Sequence, residues 1–230
     1  MSSKEVINRL VANMSGVEHE KIQRKKVLTD NEKESIENAL EKIKSFNLQI
    51  YDKGSLTVDH LFNLAKKLHK QNLLDLLVID YLQLMNSGRK SQNDHSDLGY
   101  ITRRLKQLAQ EIYIPILALS QLNRASADKN GKIREPQLTD LRQSGSIEED
   151  ANFVLMLHHE DDEEKFKEKH IKLFVRKNRS GAMGTIYMNY IGDLVRFEEM
   201  VWNDKVKKFE KVKQEVWSKE FDIQDDDLPF

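Results

Sequence analysis

Residues 73–85 read LLDLLVIDYLQLM, an apolar stretch whose central run ends in the carboxylate of Asp80. An apolar run without polar alternation is typical of a strand that is buried on both faces of a parallel sheet. Open sheets of this kind bind ligands in the crevice at the carboxyl ends of their strands. The stretch therefore predicts a central strand that presents Asp80 to the magnesium side of a nucleotide site, and an ordinary loop-capping aspartate is the alternative.

The glycine-rich phosphate-binding loop that usually accompanies such a strand is absent from the sequence. No G-x-x-x-x-G-K-[ST] motif occurs in the 230 residues. The only Gly-Lys pair, at 131–132, is followed by Ile133, and Ser126 stands where the first glycine of the motif belongs. Asp80 therefore marks where a nucleotide site would be completed, but the sequence supplies no phosphate cradle beside it.

The composition limits the class of protein. A chain of 230 residues is long enough for one sizeable α/β domain with a proper core. Charged residues make up 33% of the chain, but the formal net charge is −1, so any nucleic-acid surface must be a local patch. The absence of cysteine excludes disulfides and thiolate metal sites, and no signal peptide or long apolar run is present. We therefore expect a cytoplasmic protein without membrane contacts.

Helical and strand patterns alternate along the chain, which is the order expected of an α/β fold. Thr29 and Glu32 form a capping box that predicts the start of a helix over about 30–46. A helix followed by an apolar strand, repeated, indicates right-handed crossovers and a parallel sheet. The other predicted helices lie within 2–16 and 55–72 and over about 97–112, and the predicted core strands lie at 48–52, 73–80, 114–120 and 151–159.

The C-terminal part of the chain has different patterns. Three short alternating segments, at 171–181, 184–191 and 193–200, predict an antiparallel extension of the sheet. Residues 199–219 are charged and weakly amphipathic, which predicts a helical extension. Residues 220–230 are acidic and contain proline, so we expect a disordered tail.

Four segments occur together in an order that resembles the hexameric replicative DNA helicases of the DnaB family. VIDYLQLM resembles the Walker B segment of that family, ALSQLNR its polar sensor segment, DLRQSGSIEEDANFVLML its DNA-loop segment and VRKNRSGAMGTIYMNY its basic Lys-x-Arg segment. The resemblance covers residues 1–198, which would form the C-terminal part of the motor domain. Family members also carry a P-loop and a catalytic glutamate, which lie just before the residue that matches Met1.

The resemblance implies a RecA-like α/β fold with a mostly parallel sheet flanked by helices. This sheet would be incomplete at its N-terminal, P-loop side and would carry an antiparallel C-terminal extension. Asp80 would hold Mg²⁺, directly or through water, on the phosphates of ATP. Gln121 would contact the γ-phosphate or the attacking water, and an ordinary loop glutamine is the alternative.

Lys177 and Arg179 alternate along a predicted strand, so both cations should leave the same face. In the DnaB family this pair reaches across the subunit boundary to the nucleotide of the neighbouring subunit, where the arginine acts as a finger. A solvated basic strand face is the alternative interpretation. Arg176 should face the other way and play a structural role.

Two loops are candidates for contact with single-stranded DNA. By the resemblance, Arg142 and Gly145 lie in the loop that lines the central channel, where a guanidinium and exposed amides grip phosphates. The family commonly has glutamate at the position of Gln143. Arg89 and Lys90 belong to a second basic loop, for which a charged loop without a ligand is an equal alternative.

The chain ends in DDDLPF, which is similar to the acidic tail tips of bacterial single-stranded DNA-binding proteins. Phe230 with its α-carboxylate would fill an apolar pocket rimmed by basic residues, so the tail is a candidate partner-binding motif. A solubilising acidic end is the alternative. The motif consists of Asp227, Leu228, Pro229 and Phe230.

The resemblance implies part of an ATP-dependent replicative DNA helicase that moves 5′ to 3′ on single-stranded DNA. Its cofactors would be ATP and Mg²⁺, its assembly a hexameric ring, and its candidate partners a primase, a helicase loader or other replication proteins. Because the P-loop and the catalytic glutamate are absent, we expect the chain alone to be inactive as an ATPase. The alternatives are a non-catalytic module that binds DNA or docks on a helicase in trans, and a recombinase-like protein of the RecA fold.

Overall fold

The computed structural model describes residues 1–24, 26–54, 56–89, 94–122, 134–159, 168–203 and 208–211. The helices of this part of the chain are α1 Ser3–Ser15, α2 His19–Arg24, α3 Asp30–Ser45, α4 Val58–Lys70, α5 Asp94–Ile112 and α6 Gly145–Asp150. The strands are β1 Leu77–Ile79, β2 Ile116–Ala118, β3 Phe153–His159, β4 Glu168–Asn178, β5 Gly184–Ile191, β6 Arg196–Asn203 and β7 Lys208–Lys211. Short 3₁₀ turns occupy Leu82–Leu84, Leu138–Ser144 and Gly192–Leu194.

The helices begin where the sequence places their caps. Thr29 accepts a hydrogen bond from the Glu32 N–H while the Glu32 carboxylate accepts one from the Thr29 N–H, so the predicted capping box opens α3. Ser2 and Glu5 form the same arrangement at α1, and Thr57 caps α4. The predicted helices are therefore confirmed, because their start signals are local in sequence.

β1 and β2 form a parallel pair beneath α4 and α5. Ile79 of β1 lies in a buried cluster with Val58 and Leu61 of α4, and Leu105 of α5 closes it. A second cluster around Leu108 continues the core along α5. The predicted pairing of the two apolar segments is thus confirmed, and it places the carboxyl end of β1 beside that of β2.

The prediction that the central strand is buried on both faces is wrong for this chain. Val78 of β1 and Leu117 of β2 are each 52% exposed. In the part of the chain that the structure describes, the buried contacts of this pair are with helices on one face, so alternate side chains meet solvent.

β3 to β7 form a separate antiparallel sheet in sequential order. The expected third core strand is present as β3, and it pairs with β4. Val154 and Met156 of β3 pack with Phe174 of β4 and Leu141 of the neighbouring turn. The predicted antiparallel extension is confirmed by β4, β5 and β6.

Two local predictions are wrong. Residues 48–52 form no strand in the described structure; Leu48 and Tyr51 are exposed, and Asp52 instead accepts a hydrogen bond from the Ser3 N–H at 2.8 Å. The helix predicted over 199–219 is replaced at its described positions by the end of β6 and by β7. Pairing with β5 supplies hydrogen bonds that a weakly amphipathic helix would have to match on its own.

One helix layer connects the two sheets. α5 packs against both α4 and α6, and Ile147 of α6 contacts the buried cluster at β1 as well as the cluster at β3. Leu122, four residues beyond β2, packs against the cluster at β3. The carboxyl end of β2 and the strand β3 therefore rest on the same layer. Among the described residues, no helix is long and apolar enough to cross a membrane.

Candidate functional site

Asp80 and Gln121 lie just beyond the ends of the two parallel strands. The Leu119 N–H donates to the Ile79 carbonyl at 2.9 Å, and the Leu82 N–H donates to the Leu119 carbonyl at 2.9 Å. These bonds hold the segments that follow β1 and β2 side by side. Asp80 is exposed, and Gln121 is exposed as well, so both side chains are accessible at the sheet edge where the sequence predicted a nucleotide site.

Gln83 connects these two segments, and the sequence analysis did not single it out. Its amide nitrogen donates to the Ser120 hydroxyl at 2.9 Å, and its amide oxygen accepts from the Gln121 N–H at 3.3 Å. The side chain thereby fixes the backbone at Gln121 relative to the turn after Asp80. The only signal in the sequence was a lone polar residue inside the apolar stretch YLQLM.

Lys177 and Arg179 converge on the C-terminal end of α6. The Lys177 ammonium donates to the Glu148 carbonyl, and the Arg179 guanidinium donates to the Glu149 carbonyl at 2.8 Å. The two cations thus point at one place, in agreement with the predicted shared face. Cations suit this position because the last carbonyls of a helix lack partners within it.

Arg176 faces a different surface and has a structural set of contacts. Its Nε donates to the Pro136 carbonyl at 3.0 Å, and its guanidinium lies 4.1 Å from the centroid of the Phe174 ring. The Glu135 carboxylate is 3.5 Å from its Nη2. These contacts support the interpretation that Arg176 braces the segment before the DNA-loop turn.

The turn that resembles the DNA loop is anchored by Asp140, which is 5% exposed. Asp140 accepts hydrogen bonds from the Gln137 N–H at 2.7 Å and from the Arg134 guanidinium at 3.0 Å. Burial raises the pKa of the Asp140 carboxyl, but the hydrogen bond from Arg134 and the backbone hydrogen bond from Gln137 outweigh it and leave the pKa below its ordinary value. The carboxylate therefore stays ionised and holds the base of the turn.

Gly145 and Arg142 follow this anchor. Gly145 begins α6, is exposed, and has open space where a side chain would project. Arg142 belongs to the 3₁₀ turn, but its side chain lies outside what the structure describes. The proposed phosphate contacts of this turn remain a prediction.

Arg89, in the second candidate DNA loop, already has contacts within the chain. Its guanidinium lies 3.4 Å from the centroid of the Tyr100 ring, and the Tyr100 hydroxyl donates to Asp59 at 2.9 Å. Arg104 also donates to Asp59, at 2.9 Å. Arg89 is therefore positioned by stacking. Lys90 and the predicted tail motif at 227–230 lie outside the described residues.

The residues present suit one side of a magnesium nucleotide. Asp80 offers a single exposed carboxylate, which is enough to orient a hydrated Mg²⁺ but not to enclose a cation. In the described ranges, no group of three or more His, Asp or Glu side chains could hold a metal by itself. The arrangement fits a cation that takes its remaining ligands from water and phosphate.

Comparison with solved structures defines the class of this domain. The fold matches a solved phage-type ATPase domain, called the reference ATPase domain below, with a TM-score of 0.76 at 27% identity, over 86% of this chain and 70% of that domain. It also matches a DnaB-like replicative helicase whose structure was determined with its primase interactions, with a TM-score of 0.77 at 26% identity, over 86% of this chain and 48% of the other. The chain has the RecA-like fold of helicase ATPase domains.

Sequence comparison identifies the family within that class. The family described as the DnaB-like helicase C terminal domain matches residues 1–199, and the chain belongs to it. The probable plasmid replicative DNA helicase of Chlamydia trachomatis serovar L2 is 32% identical over 94% of this chain and 43% of its own length. The replicative DNA helicase DnaB of Mycobacterium leprae is 33% identical over 87% of this chain and 33% of its own length. The chain thus spans less than half the length of these relatives.

Proposed function

We propose that the chain forms the C-terminal part of a replicative helicase motor that couples ATP hydrolysis to 5′ to 3′ movement on single-stranded DNA. The observation that carries this proposal is the position of Asp80 and Gln121 at the adjacent ends of two parallel strands. Membership of the DnaB-like helicase C-terminal domain family supports it. A recombinase-like function is not favoured by that membership.

In this function, Asp80 would orient hydrated Mg²⁺ on the nucleotide phosphates. Gln121 would contact the γ-phosphate or the attacking water, and Gln83 would hold Gln121 in place through the bonds described above. The magnesium ion would supply charge neutralisation at the transferred phosphoryl group. The chain's own residues would position that ion and the water.

Lys177 and Arg179 would serve the nucleotide bound by a neighbouring subunit of a hexameric ring. Both donors are directed at main-chain carbonyl oxygens in the described structure, so their geometry already suits oxygen acceptors. A guanidinium placed beside a transferred phosphoryl group stabilises the negative charge that develops there. Arg179 would be the finger and Lys177 its companion.

Arg142 and Gly145 would contact the phosphates of single-stranded DNA without reading its sequence. Arg89 and Lys90 are a second candidate contact. A primase, a helicase loader or another replication protein would be the partner of the acidic tail at Asp227, Leu228, Pro229 and Phe230, because an apolar tip with flanking carboxylates suits a basic-rimmed pocket.

ATPase measurement of the purified chain, alone and with single-stranded DNA, tests this proposal. Without a glycine-rich cradle for the phosphates, the chain alone should show no turnover above background. The chain joined to the P-loop segment of a DnaB-type relative should hydrolyse ATP, and Asp80→Asn should abolish that activity. Robust turnover by the chain alone as a monomer would contradict this assignment of roles.

A second candidate function is a module without its own catalysis that supplies Arg179 to a complete helicase in trans. It is favoured by the presence of the convergent cation pair in a chain without a phosphate-binding loop. Adding the chain to a DnaB-type helicase would then change the ATPase rate of that helicase, and Arg179→Ala would remove the effect. An unchanged rate with the parent chain would exclude this function.

A further inference from the structure

The two sheets each end in a strand with an open edge on the same helix layer. Among the described residues, β2 is hydrogen-bonded only to β1, and β3 only to β4. Ile147 packs against the clusters of both sheets, and Leu122 after β2 packs against the cluster of β3. Two neighbouring strand edges therefore offer unpaired backbone groups on one support, which is a template for another strand.

The face opposite this helix layer is apolar in both sheets. Phe153, Leu155 and Leu157 of β3 are 57%, 51% and 54% exposed, while the alternate residues of the strand are buried against the turn at Leu141 and α6. Leu117 of β2 is exposed in the same way. Contiguous apolar surface of this kind is uncommon on a monomer and marks a binding surface.

We propose that a strand and helix segment supplied in trans binds this surface, with its strand pairing with both β2 and β3 and its helix covering the exposed apolar face. This inference rests on the proposed function and deepens it by naming the partner. The new strand would join the two sheets into one. Because it would have helices on both sides, it should be apolar on both faces.

The chemistry of the partner follows from where its strand would end. A strand that runs parallel to β2 reaches the sheet edge beside Gln121 and Asp80. A glycine-rich loop between that strand and its helix would then place backbone amides next to Asp80, which is the arrangement that binds phosphate. The reference ATPase domain contains enough additional chain for such a segment, since this protein covers 70% of it.

A second copy of this chain is a weaker candidate for the occupant. Each copy presents the same two open edges and the same apolar face, so two copies could cover each other only by face-to-face or edge-to-edge association. Such association would leave the site at Asp80 without a phosphate cradle, because the sequence contains none. The segment proposed here would supply both the strand and the cradle.

Hydrogen exchange of the full chain tests the inference. The probe is the part of the reference ATPase domain that this chain does not match, added in trans and also fused to Met1 through a flexible linker. We expect the amides of β2 and β3 to gain protection in both arrangements. Leu155→Lys should weaken trans binding by about tenfold or more, because a buried unpaired charge is costly. Val27→Lys, at a 96% exposed position, should leave binding unchanged.

The outcomes separate this inference from the proposed function. Unchanged exchange of β2 and β3 in a folded fusion would overturn the inference, even if that fusion hydrolysed ATP. Protection of both strands without ATP turnover would support the inference and count against the function. Concentration-dependent protection of these strands in the chain alone, which the probe fails to displace, would assign the surface to a second copy and overturn it.

Discussion

Gln83 joins two strand ends through its side-chain amide, and its removal should be measurable. Gln83→Leu removes the hydrogen bonds to Ser120 and Gln121, so we expect a loss of about 0.5–1.5 kcal/mol in the free energy of unfolding. Urea denaturation followed by circular dichroism measures it. Gln49→Leu, at an exposed position outside the helices and strands, is the matched control and should change stability by less than about 0.5 kcal/mol. Equal losses in both variants would contradict the role of Gln83.

Leu108 reports on the helix layer that supports the site. It is 0% exposed and packs with Phe62 and Ile112. Leu108→Ala should therefore cost about 2–5 kcal/mol in the free energy of unfolding, from lost burial and the cavity that remains. Leu84→Ala, at a position 64% exposed, is the control and should cost much less. A small loss at Leu108 would mean that this layer is loosely packed.

At the scale of elements, the start of α3 should make stability depend on pH. The hydrogen bonds from Lys21 and Thr29 lower the pKa of Glu32 to about 2, from an ordinary value of 4.5. A lowered pKa stabilises the fold fully above the ordinary value, and this contribution is lost as the pH falls from about 4.5 towards 2. Thermal unfolding should therefore show that Glu32→Gln is less stable than the parent at pH 6, with the difference shrinking by pH 3.

Glu34→Gln, at an exposed position on the same helix, is the control for this prediction and should track the parent at every pH. A difference between the parent and Glu32→Gln that stays constant from pH 6 to pH 3 would show that the Glu32 carboxylate does not act through its charge.

The elements also show how far the sequence determines this fold. The caps at Thr29 and Thr57 act within four residues, so the starts of their helices could be predicted. The apolar stretch before Asp80 predicted its strand for the same reason. The strand expected at 48–52 fails because strand formation needs a partner that no local pattern reports. β7 was missed in the same way, since it exists through its pairing with β6.

The candidate site was predictable only as far as its residues lie at strand ends. Asp80 and Gln121 follow apolar runs, so their common edge could be inferred. Gln83 could not, because its contacts depend on how the segments after β1 and β2 align. Nor could the sequence reveal that Lys177 and Arg179 meet the carbonyls of α6, which is distant along the chain.

At the scale of the whole molecule, binding to single-stranded DNA should be electrostatic despite a net charge of −1. The affinity should fall linearly with the logarithm of salt concentration, because phosphate contacts release counterions. Arg142→Ala should reduce the slope of that plot by about 0.7, the value for one phosphate contact on a single strand. Fluorescence anisotropy with a labelled oligonucleotide measures the slope.

Lys44→Ala, near the C-terminal end of α3, removes an equal charge from the chain and serves as the control. It should leave the slope unchanged. Identical slopes for the parent, Arg142→Ala and Lys44→Ala would place the DNA contact elsewhere.

The contacts of Lys177 and Arg179 with α6 have one more consequence, which concerns competition. Any phosphate that these cations engage must share their donors with the carbonyls of Glu148 and Glu149. The end of α6 is weakened to the extent that the phosphate wins, and α6 continues directly from the turn at Leu138–Ser144. Nucleotide occupancy at one subunit boundary is thereby thermodynamically linked to the order of the turn that resembles a DNA-binding loop.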